Sequence, residues 1–185
     1  MIQFIRSLTN KQGILFIIWG SISFISYLLI YISGSIQYSS LLDHISNIFS
    51  ILLPILGLIF TILFVIILYQ SKPDYTIITL LYIWGSAIAG MVFINLIQFN
   101  INHIINFQLQ HPIFMVLIAI ATVLTGVVLS YKSIIVGGIV FGIMAYLCSY
   151  FNLHEQLLIE SLAWFIAFII PGYLLFSKKI SKPRL

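Results

Sequence analysis

Three side chains that could do chemistry are spaced four residues apart near the start of the last apolar segment: Gln156, Glu160 and Trp164. This spacing places them on one face of a helix. An acid just inside an apolar segment usually faces a bundle interior or a wet cavity, where it binds a proton, an ion or a polar solute. Glu160 is therefore the first candidate site residue. The alternative is that it faces water at the membrane interface.

Other polar residues are candidates to act together with Glu160. Asn95 lies near the end of an apolar segment, and His103 and His154 lie between such segments. Imidazole gains and loses a proton at ordinary pH. We therefore predict that Asn95, His154 and His103 contribute to a ligand-binding or proton-binding site with Glu160.

The spacing of the histidines does not favour a metal site, although neutral imidazole binds zinc, copper and iron. His154 and Glu155 begin an HExxH zinc-protease pattern, but Leu158 stands where the second histidine is required. The sequence also has no phosphate-binding loop and no GxSxG motif. We predict no metal ligands, and the sequence disfavours an enzyme and identifies no cofactor.

The composition places these residues in a membrane. Hydrophobic residues make up 62% of the 185 residues and charged residues only 6%, which is more apolar surface than a soluble domain buries. A helix crosses the hydrocarbon layer with about 20 apolar residues. Six segments approach or reach this length: 13–33, 48–69, 76–97, 113–131, 134–151 and 157–176. They lack the alternation of a membrane barrel. We predict an all-α, polytopic six-helix bundle forming one transmembrane domain over residues 1–185.

The basic residues predict the orientation of this bundle. With six spans, all eight lysines and arginines fall on one face: Arg6, Lys11, Lys72, Lys132, Lys178, Lys179, Lys182 and Arg184. Basic flanks remain in the cytoplasm, so both termini should be cytoplasmic. The polar candidates then lie on the outer side. The net charge of +4 is thus an orientation signal and an attraction to anionic lipids, and we predict a lipid bilayer rather than nucleic acid as the partner.

Small residues at regular spacing predict where the helices pack, because they let helix backbones approach closely in lipid. Gly138 and Gly142 form a GxxxG pair, and Gly85 has Ala89 four residues later. Gly20 belongs to a repeat with a period of seven: Gly13, Gly20, Tyr27 and Gly34. Gly138 and Gly142 fit two arrangements, packing within the chain or a seam with a second copy or another membrane protein.

Proline and glycine in the last segment predict a bend. Pro171 removes one backbone hydrogen bond and Gly172 relaxes the adjoining turn. Such a bend serves as a hinge in some membrane helices and is static in others. The sequence leaves both alternatives open.

Two stretches carry a resemblance to known proteins: LTGVVLSYKSIIVGGI at 124–139 and IIPGYLLF at 169–176. They resemble parts of uncharacterised small multi-pass proteins of bacterial inner membranes, and the WGS of residues 19–21 adds to the likeness. The resemblance covers about the last third of the chain. It implies a location in the inner membrane, and it brings no activity, ligand or catalytic residue.

Two functions of different classes fit the sequence. The first is a small transporter or ligand-responsive membrane protein, with a polar cavity open to the outer side around Glu160 and Asn95. The alternative is a non-catalytic accessory or structural subunit of a larger membrane complex, docked through its glycine-rich helix faces.

Overall fold

The computed structural model describes residues 2–35, 44, 48–49, 52–53, 55–63, 66 and 75–177, with side chains from residue 13 onward. These residues are almost entirely helical and contain no strand, and from residue 75 onward short turns join the helices. The prediction of an all-α chain is confirmed for this part. Eight of the 22 residues of the predicted second span, 48–69, lie outside the described residues, as do Lys72 and the basic residues after Ser177.

Helices account for nearly all of the described residues. They are α1 (Ile2–Ser35), α2 (residues 55–63), α3 (Tyr75–Asn102), α4 (Phe107–Val128), α5 (Lys132–Cys148), α6 (Leu153–Trp164), a π-helical turn (Phe165–Ile169) and α7 (Ile170–Ser177). Within the described residues, four helical stretches are long and apolar enough to cross a membrane: Gly13–Ser35, Tyr75–Asn102, Phe107–Val128 and Leu153–Ser177. The apolar helix α5 is shorter, with 17 residues. The chain is therefore built as a membrane-embedded helical protein.

Polar side chains set where two of these helices begin. The Asn106 side chain accepts a hydrogen bond from the Leu109 backbone N–H at 3.2 Å and caps α4. Asn152 caps α6 in the same way, accepting from the Glu155 backbone N–H at 3.1 Å. Such caps satisfy backbone donors that the first helical turn leaves free. They fix the start of both helices that carry the site described below.

The seven-residue repeat of α1 lies against the last helical segment. A Cβ built on Gly13 would lie 2.8 Å from the backbone oxygen of Gly172, and one on Gly34 would lie 3.1 Å from a ring nitrogen of His154. Between them, Gly20 packs on the π-helical turn. Because Gly13 meets the end of the segment and Gly34 its beginning, the two elements run antiparallel. The glycines thus let α1 approach closely along its length.

The paired glycines of α5 face α4 of the same chain. A Cβ on Gly138 would lie 2.8 Å from the Val123 backbone nitrogen, and one on Gly142 would lie 3.5 Å from the Ala119 Cβ. Gly138 therefore permits close helix contact, whereas Gly142 has room for a methyl group. At Gly85 of α3, a Cβ would meet no atom within 4 Å in the part of the chain that the structure describes.

An aromatic cluster fills the bundle beside the π-helical turn. It consists of Phe16, Phe141, Trp164 and Phe168. The Trp164 and Phe168 ring centroids are 4.3 Å apart, and those of Phe141 and Trp164 are 5.2 Å apart. Large rings at these separations gain both burial and favourable edge contacts. The cluster joins α1, α5 and the last segment into one core.

The π-helical turn interrupts the last predicted span just before Pro171. The Ile170 backbone N–H donates to the Phe165 carbonyl, five residues earlier. Pro171 has no N–H for the Ala167 carbonyl, and Gly137 of α5 lies so close that a Cβ there would be 2.7 Å from that oxygen. The absence of a side chain on Gly137 thus lets α5 pack directly on this irregular backbone.

Candidate functional site

Glu160 is buried and paired with a histidine from another helix. Its side chain in α6 is 2% exposed, and its Oε2 lies 2.6 Å from Nδ1 of His111 in α4. The His111 side chain is 19% exposed. A buried carboxyl group needs a partner to offset its lost hydration, and this distance is typical of a strong charge-assisted hydrogen bond.

The pair can gain or lose a proton without losing its contact. In one form the Nδ1–H of His111 donates to the Glu160 carboxylate; in the other a protonated carboxyl group donates to Nδ1. In the first form the neutral imidazole leaves Nε2 free to take a further proton, and in the second form Nε2 already carries it. The arrangement is therefore suited to proton binding, and a carboxylate in this position also attracts cations.

Side chains from α1 and α5 complete a layer around this pair. The Tyr27 ring of α1 meets the His111 ring edge-on, with centroids 5.8 Å apart, and Tyr27 also interacts electrostatically with Glu160. Cys148, fully buried at the end of α5, interacts electrostatically with Glu160 as well. We call Tyr27, His111, Cys148 and Glu160 the polar layer. Four helices therefore converge on one carboxyl group.

The polar layer lies at one end of the bundle. Helix α5 begins at Lys132 and ends at Cys148, so the layer is roughly 24 Å from Lys132 at about 1.5 Å per residue. The caps Asn106 and Asn152 mark the same end, since they start α4 and α6. The aromatic cluster begins one helical turn beyond Glu160, at Trp164, and closes the interior on the side toward α7.

The predicted shared face of Gln156, Glu160 and Trp164 is buried. Their exposed fractions are 1%, 2% and 7%. The Gln156 amide donates through Nε2 to the Phe151 carbonyl at 3.0 Å. Glu160 thus does not face interfacial water in this structure.

Several buried polar atoms at this end have no hydrogen-bond partner within the described residues. They are Ser26 Oγ, Asn95 Oδ1, Gln98 Nε2, Gln110 Oε1, Gln156 Oε1 and Trp164 Nε1. Leaving such an atom buried and unpaired costs about 1–3 kcal/mol. Ser26 and Gln110 are direct chain neighbours of Tyr27 and His111 in the polar layer. This end of the bundle therefore has more hydrogen-bonding capacity than its own residues use.

Asn95 lies near the level of the polar layer. Gly90 of α3 packs against Leu117 of α4, and the two helices are antiparallel because a short turn joins them. Counting five residues forward from Gly90 in α3 reaches Asn95, and counting five residues back from Leu117 in α4 reaches Pro112. Asn95 therefore lies opposite Pro112, which follows His111 in the chain. No hydrogen bond between Asn95 and Glu160 occurs within the described residues.

The structure places the two predicted histidines away from Glu160. His154 stacks on Tyr31 with centroids 4.5 Å apart, and its Nε2 lies 3.0 Å from Ser35 Oγ. It therefore links the start of α6 to the end of α1. His103 is exposed in the turn after α3, with a φ of 55°.

His111 is the histidine that sequence reasoning did not pair with Glu160. The predicted fourth span starts at residue 113, which leaves His111 in the preceding turn. In the structure α4 begins at Phe107, so Pro112 is inside the helix and His111 is in its second turn. The signal that could have placed His111 in the helix is Asn106, a residue type that often caps a helix, followed by one helical turn before Pro112. It shows that the helix starts before the proline.

Among the described residues, no three His, Cys, Asp or Glu side chains lie close enough together to hold a metal ion.

No protein-family model, curated protein or solved structure matches this chain.

Proposed function

We propose that this chain is a small transporter with six spans, in which the His111–Glu160 pair binds and releases a proton coupled to movement of a solute. The observation that carries the proposal is the burial of this ionisable pair between helices at one end of an apolar bundle. We further propose that it resides in a bacterial inner membrane with both termini in the cytoplasm.

Stability alone is a poor reason to retain such a pair. An acid within a membrane-spanning helix is costly, and a buried ion pair can often be replaced by apolar residues with no loss of stability. This end of the bundle also holds buried hydrogen-bonding atoms that have no partner among the described residues, including one on Gln156, one turn before Glu160. A site that exchanges its partners during a functional cycle explains both features.

The proposed orientation opens the site to the outer side. With six spans, all the basic residues, including Lys132, lie on the cytoplasmic face, as basic flanks do in membrane proteins. The polar layer is at the other end of α5 from Lys132. Protons and solutes would then enter past His111, and the aromatic cluster would separate the site from the cytoplasm.

The π-helical turn supplies a physical means of changing access. If its extra residue were taken up into regular α-helix, α6 would shift by about 1.5 Å and rotate by about 100° relative to α7. Such a movement would carry Glu160 away from His111. Meanwhile α7 would stay anchored to α1 through the contact of Gly172 with Gly13.

Solute-dependent dissipation of a pH gradient tests the proposal. The full chain is reconstituted in liposomes with an acidic interior and an internal pH-sensitive dye, and a panel of small cationic, anionic and neutral solutes is added outside. We expect at least one solute to raise the internal pH. Glu160→Gln and His111→Asn should reduce this rate by roughly 10-fold or more, because each removes a hydrogen bond to a charged group.

Matched variants separate the site from general effects. Glu155→Gln changes the exposed acid in the first turn of the same helix, and His103→Asn changes an exposed histidine at a left-handed position that asparagine tolerates. Both should keep the wild-type rate. A panel without any active solute, or a Glu160→Gln variant as active as Glu155→Gln, would contradict the transporter. A stoichiometric membrane partner copurifying with an inactive chain would favour the accessory-subunit alternative.

A further inference from the structure

We propose that the solute at this site is ammonium or a small primary amine, whose ammonium group competes with the proton for Glu160. This inference rests on the proposed function in taking the His111–Glu160 pair as the proton-binding group. It adds the chemical class of the ligand, argued from the atoms around that pair.

Gln156 supplies an oxygen of known orientation next to Glu160. Its Nε2 is held by the Phe151 carbonyl at 3.0 Å, so the free atom of the amide is the Oε1 acceptor. The side chain is 1% exposed and lies one helical turn before Glu160 on the same face. A carboxyl group and an amide oxygen without a partner among the described residues thus belong to the same buried helix face, one turn apart.

Of the five other unpaired atoms, two are acceptors as well, two are donors, and the Ser26 hydroxyl, next to Tyr27 in the chain, can act as either. Asn95 Oδ1 and Gln110 Oε1 are buried without partners within the described residues. The unpaired donor Nε2 of Gln98 lies near the end of α3, away from Glu160, because Oε1 of the same side chain accepts a hydrogen bond from the Asn106 backbone N–H at 3.0 Å. The Trp164 donor lies one turn deeper than Glu160, beside the aromatic cluster. The free amide oxygens therefore add acceptors near Glu160, while the donors of the polar layer itself are the Tyr27 hydroxyl, the Cys148 thiol and a His111 ring N–H, and the layer contains no Lys or Arg.

An ammonium group has the complementary chemistry. It carries one positive charge and three or four N–H donors with no acceptor. An anion would be repelled by the Glu160 carboxylate, and magnesium or calcium would need about six or more oxygen ligands. The close fit around Glu160, which is 2% exposed, limits the attached carbon chain to a small group.

The charges of the polar layer predict exchange with a proton. Among the described residues, the titratable groups that interact with Glu160 are Tyr27 from α1, His111 from α4 and Cys148 from α5, while α3 brings the neutral Asn95 to this level. Tyr27 and Cys148 carry no charge in their protonated forms. With His111 neutral and Glu160 ionised, the layer holds one negative charge. Either a proton or an ammonium group neutralises it, so each should exclude the other.

Equilibrium binding of radiolabelled methylammonium to the full chain in lipid nanodiscs tests this inference. We expect saturable binding that weakens as pH falls and that ammonium displaces, whereas equal concentrations of urea or sodium do not. Glu160→Gln should abolish binding. Gln156→Leu should weaken it by roughly 10- to 100-fold, the effect of losing one hydrogen bond to a charged group.

Gln108→Leu is the matched control for Gln156→Leu. Gln108 is exposed and also donates to the Phe151 carbonyl, at 3.4 Å, but it lies on α4 and lends no atom to the Glu160 face. It should bind methylammonium like the wild type. Equal losses in both variants, or displacement by urea and sodium as effective as by ammonium, would overturn the ligand class. If another solute still dissipated the pH gradient and this required Glu160, the proposed transporter function would be retained without the amine ligand.

Discussion

Replacing Gly138 with alanine should push α4 and α5 apart. The added Cβ would lie 2.8 Å from the Val123 backbone nitrogen and 3.0 Å from the Ala119 backbone oxygen. Side-chain rotation cannot relieve contacts with backbone atoms. Since ordinary contact starts at 3.4 Å, the helices must separate by about 0.6 Å. A gap of this size loses about a quarter to a half of the dispersion attraction across it.

The size of the effect follows from two opposing contributions. Overpacking a filled interface costs about 1–3 kcal/mol. Alanine recovers up to about 1 kcal/mol through its higher helix propensity. We therefore expect Gly138→Ala to lower the free energy of unfolding by about 1–2 kcal/mol. The assay is loss of helical circular dichroism when the full chain in mild micelles is titrated with a denaturing detergent.

Three further glycines serve as internal comparisons. Gly20→Ala should resemble Gly138→Ala, because its Cβ would lie 2.8 Å from the Phe168 Cβ and 3.1 Å from the Ile169 backbone nitrogen. Gly142→Ala and Gly85→Ala should be neutral or slightly stabilising, because no atom of the described residues would lie closer than 3.5 Å to the added methyl group. If Gly138→Ala were as stable as Gly85→Ala, the close approach of α4 and α5 would be refuted. A loss confined to Gly142→Ala, together with a change from dimer to monomer, would support the homodimer seam.

Two other predictions concern α2 and the topology. The Trp19 Nε1–H donates to Thr61 Oγ1 at 2.8 Å, so Trp19→Phe should lower the free energy of unfolding by about 0.5–1.5 kcal/mol in the same assay; an unchanged value would argue against the α1–α2 contact. In a background without the native cysteine, Lys132→Cys should react with an impermeant maleimide only from the cytoplasm and Ile104→Cys only from outside. Labelling of both from one side would exclude the proposed topology.

The helical class followed from composition because long apolar segments with almost no charge have few other ways to satisfy their backbone in lipid. The seven-residue spacing of Gly20 and Tyr27 likewise indicated one packed face of α1. Its partner was not predictable from spacing. A repeat shows that a face is close-packed, but only the tertiary arrangement brings that face against the π-helical turn and α6.

The candidate site was predictable as far as Glu160 and its helix face. The four-residue spacing places Gln156 and Glu160 together by local geometry alone. The partner His111 is 49 residues away, and its contact with Glu160 depends on how α4 crosses α6. Pro112 also masked the start of α4, because proline often occupies the first helical position.

A double-mutant cycle on His111 and Glu160 tests most directly whether these residues form one interacting pair. The free energy of unfolding is measured for His111→Asn, Glu160→Gln and the double variant, with His103→Asn replacing His111→Asn as the control. We expect a coupling of at least about 1 kcal/mol for His111 with Glu160, in the upper range for polar contacts between membrane helices, and additivity for His103. Effects of His111→Asn and Glu160→Gln that add within about 0.3 kcal/mol would contradict the pair and the site built on it.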